Sequence, residues 1–183
     1  MRRLTFGILF AGLTTGLWAY SYHETILDVF ARVLPKIILS NQPSELPLEQ
    51  IRICILHETG DGLSAEYLSH RIETLYAKGI RGVEVTSFRQ RYEEISLCRD
   101  ATALMLMQTD EARLAEAAKF ARSHHLFSAA YRPSALSHGI IFSLDIGSRV
   151  RPYINVAAAK ESRVPIGSAL LQISRIYRPE SEQ

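Results

Sequence analysis

The spacing of apolar residues predicts amphipathic helices in four stretches of the chain. The first covers residues 23–40, where apolar side chains recur every three or four positions. Pro35 lies inside this pattern and is expected to kink the helix or to end its first part. The same spacing predicts further helices over 63–77, 109–125 and 168–176.

Runs of apolar and β-branched residues between these helices predict strands. Two short runs, 140–144 and 149–155, flank a turn at 145–148 and predict an antiparallel hairpin. Alternating strands and helices followed by a hairpin are typical of an α/β sandwich. We therefore expect helices packed on a mixed sheet of about five to six strands that ends in an antiparallel hairpin. The remaining predicted strands are 51–57, 82–88, 101–107 and 126–131.

Composition and charge exclude several classes of protein. The chain has 183 residues, of which 47% are hydrophobic and 22% charged, as expected of a globular domain rather than a disordered chain. Arg2 and Arg3 supply the net charge of +2, so the rest of the chain is neutral. Because binding to nucleic acid depends on an excess of Lys and Arg, we expect no nucleic-acid partner.

Residues 1–19 have the order of a secretory signal peptide. Arg2 and Arg3 precede an uncharged, mostly apolar stretch over 4–19 that has small residues near its end. As a helix this stretch would rise roughly 24 Å, which is short of the roughly 30 Å bilayer core. We expect cleavage near Ala19 and one exported domain over 20–183, with an uncleaved signal anchor as the alternative.

The chain contains two cysteines, Cys54 inside a predicted strand and Cys98 ahead of another. In the cytosol a buried thiol would be the default interpretation for Cys54. In an exported protein, however, thiols meet an oxidising compartment, where they pair. Since the amino-terminal pattern predicts export, we expect a structural disulfide between Cys54 and Cys98.

The residues that most resemble parts of an active site do not combine into one. Cys54 and His57 are three residues apart, and on a strand this spacing places them on opposite faces, so they cannot form a nucleophile–base pair. The Gly-Asp-Gly turn at 60–62 lacks the full glycine pattern of a dinucleotide-binding loop. We therefore expect no catalytic residues and no cofactor, and we do not expect an enzyme.

Three histidines and two carboxylates are the remaining chemical candidates. His124 and His125 are adjacent at a predicted helix end, where histidines are more often surface residues that offset the helix dipole than metal ligands. His138 follows in a loop. Asp145 and Glu161 are explained by a hairpin turn and a helix surface more simply than by catalysis. We expect no metal site.

The last third of the chain resembles a known family. Residues 139–176, GIIFSLDIGSRVRPYINVAAAKESRVPIGSALLQISRI, are similar to the closing motif of the YfiR family of bacterial periplasmic regulators. That motif has a glycine and an apolar strand, a turn, a strand ending in Ile-Asn, an Ala-rich turn and a Leu-Leu helix. Residues 51–56 with Cys54, and Cys98 ahead of a buried strand, resemble earlier parts of the family pattern. The matching positions of the motif are Gly139, Phe142, Ile154, Asn155, Ala157, Ala158, Ser168, Leu170 and Leu171.

The resemblance implies a function that composition alone does not. Family members lie in the periplasm and bind the periplasmic part of an inner-membrane diguanylate cyclase, which they repress, so that cyclic di-GMP and biofilm formation fall. The alternative is a periplasmic sensor that binds a small ligand without a direct cyclase partner, and a homodimer also stays open. The residues expected to contact a partner are Asn155, Ile166, Leu170 and Leu171. Because Leu170 and Leu171 point about 100° apart on a helix, one of them should be less buried than the other.

Overall fold

The structure is a computed structural model that describes residues 21–41, 48–147 and 149–179. The predicted signal peptide over 1–19 lies outside the described residues, as does Ser148 of the predicted turn. Within the described ranges, no helix combines the length and the hydropathy needed to cross a membrane.

In the described part of the chain, seven strands form one mixed sheet in the order β2-β1-β3-β4-β5-β6-β7. Strands β1 to β5 pair in parallel, β6 pairs antiparallel with β5, and β7 pairs in parallel with β6. The predicted mixed sheet with a terminal hairpin is confirmed, and its strand count is slightly above the expected five to six. The strands are β1 Gln50–His57, β2 Glu84–Arg91, β3 Ala103–Leu106, β4 Phe127–Ala130, β5 Phe142–Ile146, β6 Val150–Ile154 and β7 Arg175–Ile176.

Helices cover both faces of the sheet, which makes the domain three layers thick. One face packs against α1 and α2 around a core of Ile, Leu and Phe side chains. The opposite face packs against α3 and the 3-10 segments Tyr92–Cys98 and Pro133–His138. The central strands β3 and β4 are buried on both faces; β3 is accordingly a continuous apolar run, and β4 is apolar except for the buried Ser128. The helices are α1 Glu24–Ser40, α2 Gly62–Leu75, α3 Glu111–Ser123, α4 Val156–Glu161 and α5 Ser168–Ile173.

Helix α1 runs through Pro35 and continues to Ser40. The proline removes one helical hydrogen bond and costs roughly 3 kcal/mol. Beyond it, Ile37 and Ile38 are 7% and 1% exposed, and burying each contributes roughly 1.5–3 kcal/mol. Packing of this last turn therefore offsets the proline, and the helix does not end where the local sequence allows it to end.

The C-terminal helix is shorter than the sequence predicts. Helix α5 ends at Ile173, and Ser174 is extended, with φ −94° and ψ 149°. Arg175 and Ile176 then pair with β6 as strand β7, and the Tyr177 amide donates to the Ile154 carbonyl at 2.7 Å. The expected helix over 168–176 is therefore wrong in its last residues, because the exposed edge of β6 recruits them as a strand.

Candidate functional site

A surface groove lies where α1 meets α5 and strand β6. It encloses about 330 Å³ and is open to solvent along one side. Its floor is apolar and its rim carries two cations from α1. We call it the α1–α5 groove and define it by its lining residues, Arg32, Val33, Lys36, Ile37, Ser40, Pro152, Ala169, Leu170 and Ile173.

The residues of α1 divide between the groove and the core according to helical spacing. Val33 and Ile37 are four residues apart and lie on the same side of α1, toward the groove floor. Arg32 and Lys36, each one residue earlier, form an exposed cationic pair on the rim. Helix α5 contains no ionisable residue. The rim is therefore positively charged on one side and uncharged on the other.

The apolar surface continues from the groove along the β5–β6 hairpin. Side chains alternate along a strand, so Val150 and Pro152 lie on the same face of the sheet as the buried Ile154. Ile146 pairs with Val150 across the hairpin, and these two side chains are 41% and 47% exposed. Ile173 on α5 is 64% exposed. Exposed apolar side chains on one continuous face are typical of an interaction surface.

Polar contacts hold α1 as one wall of the groove. Asp28 accepts hydrogen bonds from Arg71 at 2.7 Å and from the Tyr67 hydroxyl at 3.1 Å, both from α2. The hydrogen bond from Arg71 is the main reason why the pKa of Asp28 lies below its ordinary value. In the next turn, the Tyr76 hydroxyl donates to the backbone carbonyl of Arg32 at 2.6 Å.

The two walls of the groove are also joined to each other. At the end of α1, the Oδ1 atom of Asn41 accepts a hydrogen bond from the backbone amide of Gly167 at 3.0 Å. Gly167 precedes the first residue of α5. A side chain at position 167 would meet the Ser40 carbonyl at 3.3 Å, so the backbone segments approach closely here. This contact fixes the separation between α1 and α5 at one end of the groove.

Of the four sequence-predicted contact residues, Leu170 lines the groove, whereas Asn155, Ile166 and Leu171 do not. Leu170 is 5% exposed and also belongs to the core, whereas its neighbour Leu171 is half-buried. The pair is thus split between a more and a less buried member, as expected for side chains that point about 100° apart on a helix. Ile166 is half-buried and packs against the core. Leu171 and Ile166 are not part of the groove lining.

Asn155 caps helix α4 and is engaged through both ends of its side-chain amide. Its Oδ1 atom accepts from the Ala158 amide at 2.9 Å, and its Nδ2 group donates to the Leu136 carbonyl at 2.8 Å. The residue is 9% exposed. In this structure Asn155 holds the end of β6 and the start of α4 in place, and a direct role in partner contact stays a prediction.

The predicted disulfide between Cys54 and Cys98 is confirmed. It links β1 to the end of the 3-10 segment Tyr92–Cys98, with the Cα atoms 5.7 Å apart. Both residues are fully buried in the core on the α3 side of the sheet. The bond fits an oxidising compartment and takes no part in the groove, which lies on the opposite face.

The candidate metal ligands do not come together. The His124 ring stacks on Phe120 with centroids 4.2 Å apart, while His125 lies within hydrogen-bonding distance of the Ser162 carbonyl, at 3.1 Å. Within the described residues, no group of three or more His, Cys, Asp or Glu side chains is arranged to hold a metal ion.

The two candidate carboxylates take part in surface ion pairs. Asp145 pairs with Arg175 at 3.1 Å, and Glu161 pairs with Arg122 at 2.6 Å. Both pairs are largely exposed, so each contributes little to stability. Neither carboxylate lines the groove.

Sequence reasoning missed the contribution of α1 to the site. The apolar spacing of α1 predicts only that one side is buried, and it does not show that Val33 and Ile37 face a groove. A local signal existed in the pair Arg32 and Lys36, which are cations four residues apart beside an apolar stripe. The approach of α5, more than 120 residues later in the chain, is a tertiary contact that local sequence does not reveal.

The fold defines a three-layer α/β protein whose parallel strands have the order 2-1-3-4-5, a doubly wound arrangement. Solved structures with this architecture include a conserved domain protein from Vibrio cholerae O1 biovar El Tor, with a TM-score of 0.59 and 12% identity, over 83% of this chain and 60% of that one. Another is the ABC domain in complex with L-Trp from Streptococcus pneumoniae, with a TM-score of 0.58 and 13% identity, over 80% of this chain and 62% of that one. This chain thus spans about three fifths of each structure, and the likeness concerns the fold alone.

The family model described as YfiR/HmsC-like matches residues 40–175, and the chain belongs to this family. The resemblance found in the last third of the sequence is therefore confirmed. Among curated proteins, no sequence matches this chain significantly. Membership of the family supports a regulatory role rather than an enzymatic one.

Proposed function

We propose that this protein is a periplasmic regulator that binds the periplasmic part of an inner-membrane diguanylate cyclase and represses it. Repression lowers cyclic di-GMP and biofilm formation. Membership of the YfiR/HmsC-like family supports this role, and the buried disulfide fits the oxidising periplasm. We further propose that residues 1–19 act as a signal peptide that delivers the domain over 20–183 to this compartment.

The observation that carries the proposal is the α1–α5 groove with its apolar extension along the hairpin. An apolar floor gives binding energy through buried area, while Arg32 and Lys36 favour a partner segment that carries acidic side chains. Grooves of this form accept amphipathic helices, whose apolar side chains enter the floor at helical spacing. The partner contact is therefore proposed at the groove, with Leu170 in its wall and Leu171 beside it.

A small-ligand sensor is the second candidate, and the same groove gives the reason to keep it. Its volume of about 330 Å³ falls at the lower end of the range for small-molecule sites, which is roughly 300–1,000 Å³. The open side of the groove is the argument against this candidate, because such sites usually enclose most of the ligand surface. A macromolecular partner can cover the open side as well as the floor of the groove, which a small ligand cannot.

The test is the substitution Ile173→Asp, which places a charge on the exposed apolar wall of the groove. Ile173 is 64% exposed, so the fold should tolerate the change. The matched control is Leu97→Asp, since Leu97 is 61% exposed and lies on the 3-10 segment that covers the opposite face of the sheet. Leu171→Asp serves as a second variant beside the groove.

Cellular cyclic di-GMP and capture of the cyclase from membranes are the measurements. We expect Ile173→Asp to raise cyclic di-GMP and to lose capture, while Leu97→Asp behaves as the wild type and both variants keep their melting temperatures. A folded Ile173→Asp variant that still represses fully would exclude the groove. Capture that is lost equally in both variants would exclude it as well, because the effect would then not depend on position.

A further inference from the structure

The topology of the sheet creates a crevice at the carboxyl ends of its central strands. Strand β1 leads to α2 on one face and the adjacent strand β3 leads to α3 on the other, so the two connections diverge. In doubly wound sheets, ligands bind at the point where such connections separate. Three side chains that follow β1, β3 and β4 meet at this edge, namely those of Asp61, Gln108 and Tyr131.

Residues 21–23, which we call the N-terminal segment, occupy this crevice. The Tyr22 hydroxyl donates to Oδ2 of Asp61 at 2.7 Å and accepts from the backbone amide of Gln108 at 2.8 Å. The side-chain amide of Gln108 donates to the Ser21 carbonyl at 3.0 Å. The segment thus makes hydrogen bonds to residues that follow both β1 and β3, the two strands whose connections diverge.

Strand β4 contributes an aromatic contact to the same segment. The rings of Tyr22 and Tyr131 meet edge to face, with centroids 4.9 Å apart. The backbone amide of His23 donates to the Tyr131 hydroxyl at 3.0 Å. Tyr22 therefore meets an aromatic wall, a carboxylate and a backbone N–H group, which together match a phenol.

The docked segment leads directly into the wall of the α1–α5 groove. Helix α1 begins at Glu24, immediately after the segment, and carries Val33, Lys36 and Ile37 of the groove lining. The far end of α1 is joined to α5 through Asn41. Because α1 is one continuous helix, a shift of the N-terminal segment at its start would also shift the residues of α1 that line the groove.

We propose that the N-terminal segment is an internal ligand of the crevice and that its docking holds α1 in the position that forms the groove. Release of Tyr22 from Asp61 and Gln108 then loosens the first turns of α1 and weakens binding in the groove. The inference rests on the proposed function for the biological role of the groove. The docking itself is measured without a cyclase.

The experiment compares the wild-type chain with Tyr22→Phe by hydrogen–deuterium exchange. Removing the hydroxyl deletes two hydrogen bonds, and we expect the amides of residues 26–30, the first in α1 with helical acceptors, to exchange about tenfold faster, with α3 unchanged. The dye anilinonaphthalene sulfonate, which is apolar and anionic, serves as the probe of the groove. We expect its affinity to fall about threefold in Tyr22→Phe, a change of roughly 0.7 kcal/mol. Ile173→Asp should lose dye binding, which locates the dye.

The matched control is Thr102→Val. The Thr102 hydroxyl also makes two hydrogen bonds, since it donates to the Gln50 carbonyl at 3.3 Å and accepts from the Arg52 amide at 3.0 Å, at the opposite end of β1 and β3 from the crevice. We expect this variant to leave exchange in α1 and dye affinity unchanged.

A milder second variant is Gln108→Ala, which removes the side-chain bonds to Ser21 and Arg132 and keeps the backbone amide. It should change α1 exchange in the same direction by a smaller factor.

Two results would overturn the inference. Exchange in α1 that is the same in Tyr22→Phe and Thr102→Val would show that the segment does not hold the helix. Faster exchange together with unchanged dye affinity would show that the helix is held but is not coupled to the groove. Neither readout involves repression, so failure of the proposed cyclase function would leave both measurements standing.

Discussion

Replacing both cysteines with alanine tests how the disulfide stabilises this fold. Cys54 and Cys98 are both 0% exposed and lie 44 residues apart in the chain. Other contacts hold the same region, since Cys54 lies on a strand paired on both sides and Tyr92 donates a hydrogen bond to the Met107 carbonyl. We therefore expect the double variant to fold to the same structure, with the loss of stability arising mainly in the unfolded chain.

The expected loss follows from the length of the closed loop. A cross-link across 44 positions lowers the entropy of the unfolded chain by roughly 13 cal/mol/K, which is about 4 kcal/mol at room temperature. For a domain of this size, each kcal/mol shifts the melting temperature by roughly 2–4 °C. The double variant should then melt about 10 °C below the wild type.

Urea denaturation and a thermal scan, each followed by circular dichroism, measure this loss. Reduction of the wild-type protein provides the second comparison, and it should lower stability by a similar amount without further lowering that of the variant. A loss below about 1 kcal/mol with native spectra would refute the reasoning, because the loop-closure term would then be absent. A variant with lost near-ultraviolet signal would show that the bond is needed for the folded structure itself.

Three further predictions concern single positions. Asn155→Ala should lower the free energy of unfolding by roughly 2 kcal/mol in urea, because it removes the cap of α4 and leaves the Leu136 carbonyl without its partner; an unchanged midpoint would contradict this. Burial raises the pKa of Tyr92 well above its ordinary value, so the folded protein keeps this phenol neutral, whereas the unfolded chain ionises it at about pH 10. The free energy of unfolding should therefore fall as the pH rises past that value, and it should fall less steeply in Tyr92→Phe. Sequencing of the exported protein should find an amino terminus near Tyr20, whereas an intact chain in the membrane fraction would favour the uncleaved anchor.

Local sequence predicted those helices and strands in which the spacing of apolar residues matches the side that is buried in the fold. Helix α3 lies inside the range predicted for it, 109–125, and Asp110 caps its start by accepting a hydrogen bond from the Arg113 amide at 2.9 Å. The helix predicted over 63–77 corresponds to α2, Gly62–Leu75, but its first apolar residue, Leu63, is 84% exposed rather than part of the buried side. Helical spacing shows which residues share a side of a helix, but it does not show how far along the helix that side is covered by the sheet.

Where the sequence predicted an element less well, tertiary contacts determined its type or its end. The helix through Pro35 depends on burial of the turn beyond it, and strand β7 depends on an open edge at β6 that its own residues do not encode. The candidate site shows the same division. The family resemblance points to Leu170 and Leu171, whereas Arg32 and Val33 belong to the site because α1 packs beside α5, a contact that local sequence does not encode.

The hydrogen bond between Asn41 and Gly167 has a consequence for the biogenesis of this protein. The groove is built from residues 32–40 and 152–173, so one wall is synthesised before the strands of the sheet core and the other after them. A nascent or proteolytically shortened chain that lacks α5 still contains the strands β1 to β6 but has no groove. The proposed binding of a partner in the groove therefore requires that translation has passed residue 173, and a molecule cut before α5 should compete poorly for such a partner.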